Sequence, residues 1–426
     1  MEKRLNIITK IVLSIILFLT VIVGLLQIDD DLHPEIAQWI TRIEAPANSE
    51  AYLYLLGLST KNEDPLVAGQ RIFKELKEAE AEILAGQFNN SFEQLSEFEK
   101  LHYPESVLIC RLTDSDCLKT IEQKIEEIPS LLEGTRIYKT RYQQFLQYTE
   151  YQTLIKPLIE IPIMEYRYLR LAHQLQLLET IYLAHTQHSF QAIETLNAVI
   201  AQLRKKLELT DTFVGKFVYL DMIAETIDTL TVLMRRYEHA FNLTITPITT
   251  HERDLEVPLM REFVMGYYLN QQLDRHPEIF RTGGNMPGWI VRILFKPNMT
   301  LNASYPPIVE SIRAVSLDAP SFRAFVLNQT EENLPEFSFR NSVGNILNQL
   351  ATPDTLRYIA KFHDVDVKIE LFNQRNKINK NNLSNTEIGN PYGSREPLTL
   401  TKDLQWACFD GPYDDDKRYR CLNVVY

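Results

Sequence analysis

Hydrophobic positions fall into three patterns along this chain. The first is a continuous run, "IVLSIILFLTVIVGLLQI", in which residues 11–28 carry no charge. As a helix rising about 1.5 Å per residue it spans roughly 27 Å, close to one hydrocarbon core. The second pattern has helical period and lies between 164 and 240. Leu171, Leu175, Leu178 and Tyr182 form one seam, and Ile193, Leu196, Ile200, Leu203 and Leu207 a second. Phe213, Phe217, Leu220, Ala224, Ile227, Thr231 and Met234 form a third. Steps of three and four place each set on one helix face. The breaks "HTQHS" and "ELTD" are short, so neighbouring helices should run antiparallel. The third pattern is alternation, in "DVDVKIELFNQ" and in the tail "NPYGSREPLTLTKDLQWACFDGPYDDDKRYRCLNVVY", which predicts strands.

These patterns predict a mainly α protein. A cytoplasmic N-terminus (1–10) and a transmembrane helix (11–28) come first. A helical domain over 32–245 follows as an antiparallel α-hairpin array. A mixed loop and helix region over 246–426 ends in a small disulfide-linked β element. Further helices are expected after "NEDP", over 118–128, from about 130 to 154, and over 304–316 and 340–362. The stretch "FRTGGNMPGWIVRILFKPNMTLNASYPP" reads as a structured loop, and "NKINKNNLSN" as a polar turn. A tetratricopeptide-like feel in "YLAHTQHSFQAIETL" does not recur at a fixed period elsewhere.

Charge sets the orientation. Lys3, Arg4 and Lys10 precede the apolar run, and Asp29, Asp30 and Asp31 follow it. Basic flanks favour the cytoplasmic side, so residues 32–426 should be exported. A cleaved signal peptide is the alternative. The run is long for one, and no small-x-small cleavage site precedes "QIDDD". The net charge of −12 argues against a dedicated nucleic-acid binder.

Export decides the reading of the four cysteines. An even number in an oxidising compartment favours disulfides. Cys110 with Cys117, and Cys408 with Cys421, each flank a short polar stretch and are the favoured pairs. Free thiols are the alternative; the spacing is not that of a thiolate metal site.

The order of features resembles that of a group of uncharacterised proteobacterial single-pass envelope proteins. The resemblance rests on "AYLYLLGL", "EDPLVAG", the cysteine loop "LICRLTDSDCL", "IPIMEYRYL", "KPNMTLN" and "NPYGSREPLTL". It implies an inner-membrane anchored protein and carries no activity.

Candidate chemistry is sparse. G-x-S-x-G, S-x-x-K, H-E-x-x-H and G-x-x-x-x-G-K are absent, so no catalytic residue, cofactor or metal is assigned. His185 and His188, with His173 nearby, could ligate a metal, against a reading as exposed histidines of a turn. Asp221, Glu225 and Asp228 lie along one edge of the third seam and Lys216 along the other. A raised carboxylate pKa there would suit acid–base chemistry. The alternative is pairing with Arg204, Lys205, Arg235 or Arg236. Asp410, Asp414, Asp415 and Asp416 offer oxygen ligands without EF-hand spacing, against a solvated turn. Lys296, Pro297, Asn298, Thr300 and Asn302 read as a turn or a ligand loop, with Asn302 capping the next helix. The sequence therefore supports two functions. The first is a non-enzymatic membrane-anchored module that binds the lipid bilayer through 11–28 and other envelope proteins through its helices. The second is a periplasmic enzyme using Asp221 and Glu225 on an envelope component.

Overall fold

The computed structural model describes residues 2–86, 99–114, 116–237, 242–275, 293–328, 339–351, 354–378, 388–401, 405–414 and 418–424. The fold is mainly α, with a small antiparallel sheet near the C-terminus, as the patterning predicts. Helix α1 (Glu2–Leu26) contains the apolar run. Its segment Ile7–Leu26 is long and apolar enough to cross a membrane, with a mean hydropathy of 2.6, and none of it is buried among the described residues.

Helices α2 (Pro34–Ile43), α3 (Glu50–Leu56) and α4 (Pro65–Leu84) follow. Ser49 caps α3 by accepting from the Tyr52 amide, and Asp64 caps α4 by accepting from Leu66 and Val67. The pair α3 and α4 packs backbone against backbone. A Cβ on Gly57 would lie 2.0 Å from the Pro65 carbonyl oxygen, and one on Gly69 1.7 Å from that of Leu53. The glycines in "AYLYLLGL" and "EDPLVAG" therefore permit one close helix crossing.

Helices α5 (Cys117–Gln123), α6 (Ile128–Gly134) and α7 (Arg136–Gln147) lead into the periodic region. There α8 (Tyr166–His185), α9 (Ser189–Leu209) and α10 (Phe213–Arg236) form the hairpin array at the expected places. Every residue of α10 from Tyr219 to Met234 is buried. It is enclosed by α8, α9 and two later elements, α15 (Thr355–Asn373) and β3 (Cys421–Asn423). The main core therefore contains residues from both sides of position 245, such as Ile227 and Phe362.

Two expectations are corrected here. "DVDVKIELFNQ" is not a strand but the second half of α15. Its alternating Val365, Val367, Ile369 and Leu371 are buried together with Phe362, Lys368 and Phe372. A helix buried on nearly all sides loses the 3.6-residue signature, and the leftover alternation mimics a strand. Likewise "KPNMTLN" is not a loop, because α12 (Pro297–Val315) begins there rather than at 304. Pro306 and Pro307 lie on its exposed face, where water can meet the carbonyls that lose their donors. Asn302 lies inside α12 and caps nothing.

Helix α11 (Glu256–Arg275) lies in the region read as loop-rich, and α13 (Ala319–Asn328) follows α12. The helix expected over 340–362 divides into α14 (Ser342–Ala351) and the start of α15. The polar turn at 376–385 falls mostly outside the described residues. Strands β1 (Thr399–Leu400), β2 (Trp406–Cys408) and β3 form the order β1-β2-β3, with Cys408 directly opposite Cys421. Both local disulfides form, Cys110–Cys117 and Cys408–Cys421.

The chain leaving α1 is clamped onto the N-terminus of α12. Asp29 accepts from the amides of Asn298 at 2.9 Å and Met299 at 3.1 Å. It thus caps a helix whose own Lys296 supplies no side-chain cap, and its charge favours that helix end. Asn298 donates to the Asp30 carbonyl. Asn302 donates to that of Asp31 and accepts from the His33 amide. Arg340 donates to the Ile28 carbonyl at 2.6 Å and to Asp30 at 3.2 Å. Helix α2 then buries Ile36 against Phe263, Leu301 and Tyr305, with the Trp39 ring 5.0 Å from that of Tyr305.

Two measurements check this packing. Gly69→Ala should destabilise the protein by about 1–3 kcal/mol through overpacking, whereas Gly134→Ala, with open space around it, should be neutral or stabilising in denaturant titrations. Asp29→Ala should speed hydrogen exchange severalfold at the amides of Asn298 and Met299 while α10 stays protected; unchanged exchange would contradict the clamp.

Candidate functional site

The acidic edge of α10 proves to be two separate ion-pair sites. Asp221 and Glu225 lie one turn apart, and both are buried. Arg111, inside the Cys110–Cys117 loop, reaches Asp221 at 3.0 Å and Glu225 at 3.1 Å. Arg170 on α8 donates to Asp221 and lies 3.6 Å from Glu225, while Arg418 stands 3.7 Å from Asp221. Two carboxylates thus face three guanidinium groups. Asp228 is held elsewhere, by Lys368 of α15, whose ammonium lies 2.7 Å from both carboxylate oxygens.

The expected partners are therefore corrected. Arg204 pairs with Glu252, Lys205 with Glu208 and Arg236 with Glu122, and Arg235 donates to the carbonyls of Val424 and Arg375. The true partners come from the cysteine loop, α8, α15 and the tail. Sequence distance hid them, since nothing local marks Arg111 or Lys368 as facing α10. Lys216 joins neither site. Buried, it donates to the carbonyls of Leu207 and Glu252, tying the end of α9 to the segment before α11. Burial lowers its pKa to about 8, against the fields of Asp254 and other nearby acids.

The two carboxylates of the first site differ. Burial pushes Asp221 up, but the Arg170, Arg111 and Arg418 charges outweigh it and the net shift is downward. Glu225 shifts upward, because burial and the Asp221 charge outweigh the same arginines. Its oxygens stand at ion-pair distance yet make no hydrogen bonds. This is the divergence that acid–base catalysis uses. However, the adjoining cavity, bounded by Leu108, Arg111, Leu178 and Glu225, is about 20 Å³, room for about one water.

The remaining sequence candidates are dispersed. His185 ends α8, and His188 precedes α9; both are exposed. His173 does not lie beside them. It is wholly buried between Tyr142 at 3.1 Å and Thr226 at 3.4 Å, and burial lowers its pKa to about 3. Among the described residues no group of three or more His, Cys, Asp or Glu side chains is arranged to hold a metal ion. Asp410 and Asp414 are exposed in a turn, and Asp415 and Asp416 lie outside the described residues. Asn298 and Asn302 serve the clamp, Thr300 bonds Asn341, and Lys296 accepts no ligand role because its ammonium bonds the carbonyls of Ile293 and Phe295.

No protein-family model, curated protein or solved structure matches this chain. The functional reading therefore rests on geometry.

Sequence reasoning missed one concave site. A groove of about 160 Å³ opens between α11 and the extended segment 148–165 that joins α7 to α8. Tyr52, Leu76, Tyr151 and Tyr166 lie at its base, and Ile155, Leu158, Pro162 and Met164 along one side. Arg261, Glu262 and Met265 of α11 face them. Ile163 and Val214 at its mouth are 70% and 40% exposed. Arg261 donates to the Ile155 carbonyl at 2.8 Å and stands 3.9 Å from Asp211. Asp211 in turn accepts from the amide and hydroxyl of Thr153. Lys156 pairs with Glu44 at 2.6 Å. Glu262 makes no hydrogen bond or ion pair among the described residues, and burial raises its pKa against the field of Arg261. The one sequence signal was the resembling stretch "IPIMEYRYL", which forms part of this wall.

The charge sites predict opposite pH behaviour. A lowered Asp221 pKa contributes stability above its unfolded pKa that is lost as pH falls through the folded one. A raised Glu225 pKa does the reverse, favouring the fold below the unfolded pKa and losing that contribution as pH rises through the folded one. The cost of Asp221→Asn should therefore be level, at about 3 kcal/mol, from about pH 5 to 7 and fall as pH drops below about 4, while that of Glu225→Gln should shrink as pH rises from about 4 towards 7. Urea titrations at several pH values measure both. Lys368→Met alone should cost about 3–5 kcal/mol, and adding Asp228→Leu should recover most of it.

Proposed function

We propose that this chain is a non-enzymatic, membrane-anchored interaction protein. Its single N-terminal anchor holds a helical body rigidly beside the bilayer, where the body binds other proteins or supports an assembly. The observation that carries this reading is the clamp. Asp29, Asp30 and His33 are bonded within seven residues of the end of α1 to α12 and Arg340, so no free tether separates body and anchor. A body fixed in this way suits a scaffold that must present a surface at a set height. An enzyme reaching for dispersed substrates would gain from a flexible linker.

The basic residues in the first turns of α1 and the acidic ones after it support a body on the non-cytoplasmic side, and hence an inner-membrane, single-pass topology. The two local disulfides are consistent with that oxidising side. The enzyme reading has weaker support. Asp221 and Asp228 are neutralised by arginines and a lysine, and Glu225 borders a cavity of water size.

Photo-crosslinking residues placed in living cells at the exposed apolar positions Phe190, Leu327, Ile346 and Ile163 provide the test. Discrete protein adducts from at least one position are expected. If every position gives none, the interaction reading fails. An alkaline phosphatase fused after Tyr426 should be active; an inactive phosphatase with an active cytoplasmic reporter at the same place would reverse the topology.

A further inference from the structure

We propose that the groove between α11 and the segment 148–165 receives a partner-protein segment bearing one large apolar side chain close to a lysine or arginine. This rests on the interaction reading above and names the surface and partner chemistry for it. Size comes first. Pockets for whole small-molecule ligands run from about 300 to 1,000 Å³. This groove holds about 160 Å³, close to a cavity of roughly 150 Å³ that accepts a single benzene ring. It has room for one side chain, which is how a protein segment anchors itself in a pocket. The exposed Ile163 and Val214 extend the apolar surface outward from the mouth, where the rest of such a segment would lie.

Charge decides the second requirement. The two cations lining the groove are already satisfied, Lys156 by Glu44 and Arg261 by Asp211 and the Ile155 carbonyl. Glu262 is the lining charge left without a hydrogen bond or ion pair. A half-buried carboxylate without a partner gains most from an incoming cation, because the surrounding apolar surface weakens its hydration. An incoming carboxylate would meet the opposite balance, since it would have to displace Glu44 or Asp211 from its cation. The complement of this groove is therefore apolar and basic.

Selection of random ten-residue peptides displayed on phage tests this, using the full chain in lipid nanodiscs with empty nanodiscs as counter-selection. The selected peptides should share a Leu, Phe, Ile or Met within a few positions of a Lys or Arg. A synthetic copy should bind at least tenfold more weakly to Glu262→Gln, and binding should weaken with added salt. Glu262→Gln keeps the side chain's shape and removes a charge that burial disfavours, so it should not lower the unfolding midpoint. Replacing the basic residue of the peptide by norleucine gives the same comparison should that variant misfold. No shared motif, an apolar motif without a basic residue, or equal affinity for Glu262→Gln and for the norleucine peptide would each overturn the assignment. If the in-cell adducts persist at Phe190, Leu327 or Ile346 while this selection fails, the groove assignment falls and the interaction reading stands. If both fail, both fall.

Discussion

The burial of α10 is the constraint on which the rest of the body depends. This helix carries Lys216, Asp221, Glu225 and Asp228 into the centre of the molecule, where an unpaired charge would cost several kcal/mol. Each charge therefore dictates what packs against it. The Cys110–Cys117 loop must bring Arg111 to one side, α8 must bring Arg170, and α15 must turn Lys368 inward. Lys216 must find carbonyls at the end of α9 and before α11. Apolar burial supplies the driving force for this core, but it is tolerant of register. Fixed charge pairs are not, and they single out one arrangement of the surrounding helices.

The disulfide loop takes its meaning from that constraint. A seven-residue span closed by a disulfide holds Arg111 beside Asp221 and Glu225, so the loop acts as a mount for a guanidinium group. The second disulfide joins directly opposed residues of β2 and β3, and β3 packs on both α10 and α15. Arg420, next to it, pairs with Asp364 of α15. The two covalent links thus each brace a segment packed against the same buried helix.

At the other end of the molecule the same logic operates with backbone groups. The first amides of α12 need acceptors, and the Asp29 carboxylate after the apolar helix supplies them. One of the three aspartates read as a topology signal is thus a helix cap reaching across the fold, and the carbonyls of the other two accept from Asn298 and Asn302. This joins the anchor to α12, α12 to α2 and α11, and α11 to the groove. The position of that groove relative to the apolar helix is therefore set by hydrogen bonds rather than by a linker.

The helices with one exposed face were legible from sequence because solvent imposes a period on them. The seams of α8 and α9, the apolar run of α1 and the local pairing of the cysteines all follow from neighbouring residues. Residues whose environment is set by distant segments were not legible. Val365, Val367, Ile369 and Leu371 alternate like a strand because the second half of α15 is enclosed and has no exposed residue to mark a face. Asn302 looked like a local cap and serves a partner some 270 residues away. The acids of α10 were recognised as significant, but Arg111, Arg170 and Lys368 could not be assigned to them, since pairing depends on which helices meet. The groove lies between α11, which was not foreseen, and a loop whose apolar residues carry no period. The sequence by itself determined the helical periods, the long apolar helix and the disulfide-prone loops, because those depend on local pattern. Only the tertiary structure decided which charges are satisfied, and that Glu262 of the groove has no ion pair among the described residues, because neutralisation is a property of contacts between distant parts of the chain.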